Sequence, residues 1–230
     1  MPERDTVAVV TGANRGIGLE VVRHLAERGW TVVLGARDVE RGQQAARGLD
    51  GVVVRPLDVA DAASVQALAA WVRAEHGGLD VLVNNAGVHY DTGQRAVTAD
   101  LSVAEEALAV NVLGAWRMVV ACAGLLRPGA RVVNLSSGAG SFGETAGGAG
   151  VPAYSVSKAA LDMLTVKLAA ELRPRRVLVN AVCPGWVATD MGGAGGRPLA
   201  EGAASVLYAV DLPPDGPTGT FTRDGAPVPW

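Results

Sequence analysis

Cysteine is almost missing from this chain of 230 residues: there are two, Cys122 and Cys183, far apart in sequence. That excludes a disulfide framework, and each is expected to be a buried thiol in a reducing compartment, the cytoplasm. An excess of one charge is also missing. Twenty basic against 23 acidic side chains leave a net charge of −3 with no basic tract, which argues against a nucleic-acid partner. No apolar run approaches the roughly 20 residues of a membrane-spanning helix. The opening Met1-Pro2-Glu3-Arg4-Asp5 is charged, unlike a signal peptide. Linkers, repeats and charge blocks are lacking, and no cluster has metal-ligand spacing, so no catalytic metal is expected. The length suits one α/β domain spanning 1–230.

Glycine, in contrast, is plentiful, with 30 residues. Val7-Ala8-Val9-Val10 reads as a buried strand ending at a glycine turn. Ile17, Val21 and Leu25 follow at helical spacing until Gly29. Thr31-Val32-Val33-Leu34, Val52-Val53-Val54 and Val81-Leu82-Val83 are further expected strands, with Asp38 and Asp61 placed to cap the intervening helices. A long helix is expected over about residues 103–126, broken by Pro128-Gly129 before a strand at Arg131-Val132-Val133-Asn134-Leu135. Residues 141–152 read as a loop, 153–172 as a helix, 177–182 as a strand, 199–210 as a helix, and Thr220-Phe221-Thr222 as a last short strand. This alternation predicts a parallel sheet covered by helices on both faces, with right-handed crossovers and ligands beyond the carboxyl ends of the strands. The glycine turn, Asn84-Asn85, Ser137 and Pro184-Gly185 each follow a strand, so they are expected to meet at one edge.

Two of these segments carry chemistry. In Thr11-Gly12-Ala13-Asn14-Arg15-Gly16-Ile17-Gly18, missing side chains let backbone amides approach phosphate oxygens at a helix start. In Tyr154-Ser155-Val156-Ser157-Lys158, a phenol and an ammonium lie one helical turn apart on one face. A dinucleotide cradle plus a positioned phenol points to hydride transfer. The alternative is a cofactor-binding redox sensor without turnover.

With Asn84-Asn85-Ala86-Gly87, Asn111, Ser137 and Pro184-Gly185 added, the chain resembles the short-chain dehydrogenase/reductases over essentially its full length. Within that family it is most similar to carbonyl reductases, through Gly35-Ala36-Arg37-Asp38, Cys183-Pro184-Gly185-Trp186-Val187 with Thr189-Asp190-Met191, and the ending from Gly219 to Trp230. The resemblance implies a single doubly wound, Rossmann-type domain with about seven parallel strands. It makes Tyr154 the acid that protonates the carbonyl oxygen, its ionisation favoured by Lys158. Ser137 would hold the substrate oxygen, Lys158 the nicotinamide ribose, and Asn111 a water beside Lys158. Ser136 competes with Ser137, but strand alternation lets only one face the site, and Ser137 is chosen. Sugar-nucleotide epimerases can use a similar Tyr-x-x-x-Lys, but only about 45 residues follow the sixth strand here, too few for their substrate domain.

The expected cofactor contacts are Gly12, Asn14, Arg15, Gly16, Ile17 and Gly18 in the turn, with Asp58 at the adenine and Val59 beside it. Asn85, Ala86 and Gly87 line the adenosine and ribose side; Pro184, Gly185, Val187 and Thr189 shape the nicotinamide pocket. Arg37 stands where NAD-dependent relatives usually carry an acid, and an arginine fork suits a 2′-phosphate, so NADPH/NADP+ is expected. Asp38 keeps NADH, and an NAD(H)-preferring alcohol dehydrogenase, as the alternative. His89, Tyr90, Trp186 and Met191 are placed to border a small-molecule carbonyl or alcohol substrate, while His24 and His76 read as ordinary helix residues. Animal carbonyl reductases carry a long insertion between the serine and the tyrosine, associated with a monomeric state. Only residues 138–152 intervene here. The uncovered helices then imply a homo-oligomer, a tetramer first and a dimer second, and the short Met191–Gly196 segment a small, mobile lid.

Overall fold

Valine-rich runs with little polar alternation become strands buried on both faces. In the computed structural model, which describes residues 5–145 and 148–230, these are β1 (Val7–Thr11), β2 (Thr31–Ala36), β3 (Val52–Pro56), β4 (Leu79–Asn84), β5 (Leu126–Leu135), β6 (Leu178–Val182), β7 (Phe221–Arg223) and β8 (Ala226–Pro227). The helices are α1 (Gly16–Glu27), α2 (Val39–Ala45), α3 (Ala62–His76), α4 (Leu101–Ala107), α5 (Ala115–Cys122), α6 (Pro152–Leu172) and α7 (Leu199–Val210). The charged start at residues 1–4 and two positions of the glycine-rich loop, 146 and 147, lie outside the described residues.

One sheet runs β3-β2-β1-β4-β5-β6-β7-β8, parallel as far as β7. Strand order reverses beside β1, which opens a crevice at the carboxyl ends of β1 and β4. Side-chain alternation divides the core between the two faces. Val7 and Val9 pack with Val65, Leu68, Met118, Leu161 and Leu164 of α3, α5 and α6. Ala8 and Val10 pack with Val21, Leu25, Val206 and Val210 of α1 and α7. The expected caps form: Asp38 accepts from Arg41 N at 3.0 Å and Asp61 from Ala63 N at 2.9 Å. Among the described residues no helix is long and apolar enough to cross a membrane.

Three boundaries differ from the sequence reading. Pro128-Gly129 does not precede β5 but lies inside it. Leu79 pairs with Leu126 and Val81 with Arg131, so β5 bulges. Gly129, at φ +85°, gives its N–H to Arg176 O instead of the ladder. The helix expected at 103–126 starts at Leu101, ends at Cys122, and is interrupted by a π-helical segment, Leu108–Gly114. An eighth strand exists because Asp224 (φ +53°) and Gly225 (φ +78°) form a tight two-residue turn that folds β8 antiparallel onto β7.

Candidate active site

The glycine turn links β1 to α1 and is sewn to the end of β4. Thr11 Oγ1 accepts from Asn85 N (3.1 Å) and Ala86 N (3.0 Å), while Asn85 Nδ2 donates to Thr11 O (2.8 Å) and Gly12 O (3.0 Å). Gly12 (φ +62°) has no room for a side chain: a Cβ there would stand 2.9 Å from Ala86 Cα. A Cβ on Gly18 would overlap the Asn85 side chain. Arg15, at the N-cap of α1, supplies no side-chain cap, and the first turn holds no acid. The first-turn N–H groups are therefore suited to an anion.

Beyond them lies a cleft of about 430 Å³. Gly12, Asn14, Arg15, Gly16 and Ile17 line it, as do Arg37, Asp58, Val59, Asn85, Ala86, Gly87, Tyr154, Lys158, Pro184 and Thr189. Its long shape, the crowded glycine and the uncapped helix fit a dinucleotide, with Arg37 at the rim. Asp38 is committed elsewhere: Oδ1 caps α2 and Oδ2 pairs with Arg41 Nε at 3.1 Å. That leaves the carboxylate little capacity for a ribose diol. Arg41 also lines the cleft and was missed in the sequence, although it sits three residues after the recognised cap.

Other expected contacts lie behind the wall. Gly18 packs on Asn85. Gly185 (φ +75°) faces Arg197, and the buried Val187 packs where Gly202 leaves space. Arg15 Nη1 pairs with Asp190 Oδ2 at 2.6 Å, joining the glycine turn to the loop after Thr189. Of the suggested substrate border, Met191 lines the cleft, while Tyr90 and Trp186 are exposed. Trp186 Nε1 donates to Gly192 O at 2.7 Å, which ties the ring to the short glycine segment.

The phenol lies at the inner end of the cleft, in the first turn of α6. Ser137 follows β5 and caps the short Gly138–Gly140 turn, accepting from Ala139 N at 3.2 Å. Its hydroxyl also hydrogen-bonds to the Tyr154 phenol. The Ser136 hydroxyl turns inward, beside the buried Asp162. Alternation thus separates the two serines as expected. Lys158 Nζ donates to Leu135 O at 2.6 Å and stands 5.6 Å from the Tyr154 ring centroid.

Two expectations need correction. Lys158 was expected to favour ionisation of Tyr154, but burial dominates and pushes the phenol up to about 12, against a smaller lowering by Ser137. Burial also brings Lys158 down to about 8, with Asp162 opposing, and raises Asp162 to about 7. Asn111 was expected to anchor a water. Its side chain is already engaged: Oδ1 accepts from Val88 N (2.8 Å), and Nδ2 donates to Val88 O (3.0 Å) and Ser157 Oγ (2.9 Å). Any water-holding role falls to its backbone carbonyl, in the π-helical segment where the usual ladder is shifted.

The architecture is shared with known proteins. The short chain dehydrogenase family profile matches residues 6–197. Bovine (Bos taurus) carbonyl reductase 1, an NADPH enzyme by name, is 36% identical over 280 aligned positions, which cover 100% of each chain. That span exceeds the 230 residues present here, so the bovine chain carries extra segments. The NADPH-bound carbonyl reductase from chicken fatty liver superposes with a TM-score of 0.88 at 30% identity, covering 99% of this chain and 100% of the other. The carbonyl reductase Sniffer of D. melanogaster gives 0.89 at 26% identity with the same coverage. Cleft, crossed-over sheet and the Ser137–Tyr154–Lys158 cluster are thus borne by a chain that belongs to the short-chain dehydrogenase family.

Proposed function

We propose that the protein is an NADPH-dependent reductase of ketones and aldehydes, a single catalytic domain working in the cytoplasm as a homo-oligomer. The observation that carries the reading is the meeting of Ser137, Tyr154 and Lys158 at the inner end of a dinucleotide-shaped cleft. The named relatives support the cofactor and the substrate class. Two buried, unpaired cysteines are compatible with a reducing compartment.

NADPH, when bound, supplies the hydride to the carbonyl carbon. Tyr154 gives its proton to the carbonyl oxygen, so that an alcohol is formed. Ser137 holds that oxygen against the phenol. A phenol held up at about 12 is protonated at neutral pH, the form that reduction requires. Lys158, brought down to about 8, exchanges protons close to neutrality and returns one to Tyr154. Arg37 and Arg41 hold the 2′-phosphate, and the uncapped start of α1 holds the pyrophosphate.

The test is NADPH oxidation with a panel of aldehydes and ketones, beside calorimetric binding of NADPH and NADH. Turnover with NADPH and tighter NADPH binding support the reading. Binding without turnover on any carbonyl points to the sensor, and equal use of NADH to the alcohol dehydrogenase.

A further inference from the structure

Helix α6 carries the phenol but begins without a cap of its own. Val151, at its N-cap, lies at φ +50° and offers no side-chain acceptor. The acceptor comes from the loop after β4, 62 residues upstream. Asp91 Oδ2 accepts from Ala153 N at 2.7 Å and from Tyr154 N at 3.3 Å. Asp91 is 1% exposed, and a carboxylate so buried needs donors or an opposite charge. Its second oxygen accepts no hydrogen bond and faces His89 Nε2 at 3.7 Å. The His89 ring is stacked on the Tyr154 ring, with centroids 4.5 Å apart and planes at 28°.

The loop is itself fixed. Asn111 clamps the N–H and C=O of Val88, the residue before His89. A further strand-like bridge joins Arg95 to Gly150, just ahead of α6. Tyr154 is therefore gripped twice by one short segment, at its backbone through Asp91 and at its ring through His89.

We infer that Asp91 and His89 are a positioning pair for the reaction: Asp91 fixes the start of α6, and the His89 ring holds the Tyr154 phenol in line with Ser137. The inference rests on the reductase reading above. A tyrosine in the first turn of a helix lies where helices fray, and a small swing about χ1 carries its distant hydroxyl far from Ser137. A misplacement of about 1 Å can cost about 100-fold in rate. His89 blocks that swing by contact, and Asp91 holds the turn from which the side chain departs.

The experiment compares kcat, KM and melting temperature for His89→Ala, His89→Phe, Asp91→Ala and Asp91→Asn. His89→Ala is expected to lower kcat roughly 10- to 100-fold with KM for NADPH unchanged, because the glycine turn and Arg37 are untouched. His89→Phe keeps an aromatic plate and restores kcat to within about threefold of the parent. Asp91→Ala lowers both kcat and melting temperature, and Asp91→Asn, whose carbonyl oxygen can still accept both N–H groups, recovers kcat. His89→Ala with unchanged kcat, or His89→Phe as impaired as alanine, overturns the pair. Absorbance titration of the phenol, taken against Tyr154→Phe, answers even if no carbonyl is reduced. Removing the plate admits water and brings the midpoint down from about 12, while phenylalanine keeps it up. An unmoved midpoint in His89→Ala overturns the pair, whereas absent turnover with a shifted midpoint overturns only the reductase reading.

Discussion

Tyr154 and Lys158 were legible because their relation is local: four residues on one helix. Asp162 is four residues further on, yet nothing in its spacing tells that it is buried, since that depends on β5 closing over α6. Both its oxygens lack a hydrogen bond within the distances that define one, although Ser136 and Lys158 lie close. The unfolded chain gives up this proton in the ordinary carboxylate range near pH 4, the folded chain only near 7. The folded state binds the extra proton between those values, so its stability falls as pH rises through that window. Asp162→Asn is expected to flatten the fall and to melt higher than the parent above about pH 7, as thermal scans across pH will show. Tyr154→Phe deletes only the hydroxyl, and is expected to cut reductase activity by at least about 10²- to 10⁴-fold while NADPH still binds. Arg37→Asp removes a charged partner for phosphate and adds repulsion. It should cost about 1.5–3 kcal/mol in NADPH transition-state binding and turn preference towards NADH, read from kcat/KM with each cofactor.

Elements were readable in proportion to how far their own residues decide them. The strands and α1, α3 and α7 follow apolar periodicity, and Asp38 and Asp61 mark helix starts in the sequence as they do in the fold. The π-helical segment does not follow from periodicity, since Leu108–Gly114 is an ordinary helical pattern. Its cause is tertiary: Asn111 is drawn to Val88 and Ser157, and Gly114 sits so close to Val59 that a Cβ would approach Cγ2 to 2.7 Å. Asn111→Leu keeps size but strands the N–H and C=O of Val88 and the Ser157 hydroxyl. A loss of about 3 kcal/mol or more is expected in urea unfolding, since each buried group left unpaired costs about 1–3 kcal/mol. The Asp224-Gly225 turn was readable in principle, because Asp-Gly is a strong hairpin signal. It escaped notice because β8 has only two residues.

At the scale of the molecule, one surface is conspicuously apolar. Leu113, Trp116 and Val120 on the segment through α5 are exposed, as are Val156 and Met163 on α6. A groove of about 270 Å³ beside them is lined by Val65, Leu113, Trp116 and Val120. Patches of this kind mark interfaces, and the proposed homo-oligomer would bury this one. Light scattering near micromolar concentration is expected to give a multiple of 23.5 kDa, and Trp116→Glu to lower it. A parent mass of 23.5 kDa would count against the oligomer.

The stitching of Thr11 to Asn85 and Ala86 also says where this chain tolerates extra sequence. Every segment that lines the cleft leaves the carboxyl end of a strand or the helix facing it, so the opposite rim of the sheet has no part in the chemistry. The turn at residues 48–51 enters β3 from that rim, with Gly48 and Gly51 exposed at left-handed φ. A small folded tag inserted there is expected to leave cofactor affinity intact, because such a turn bears no contact that the cleft needs. The same tag between Asn85 and Val88 would part the two halves of the sheet at their seam. The molecule therefore has a handle on the side away from its work, where it can be tethered to a surface or fused to a second enzyme without turning its mouth to the wall.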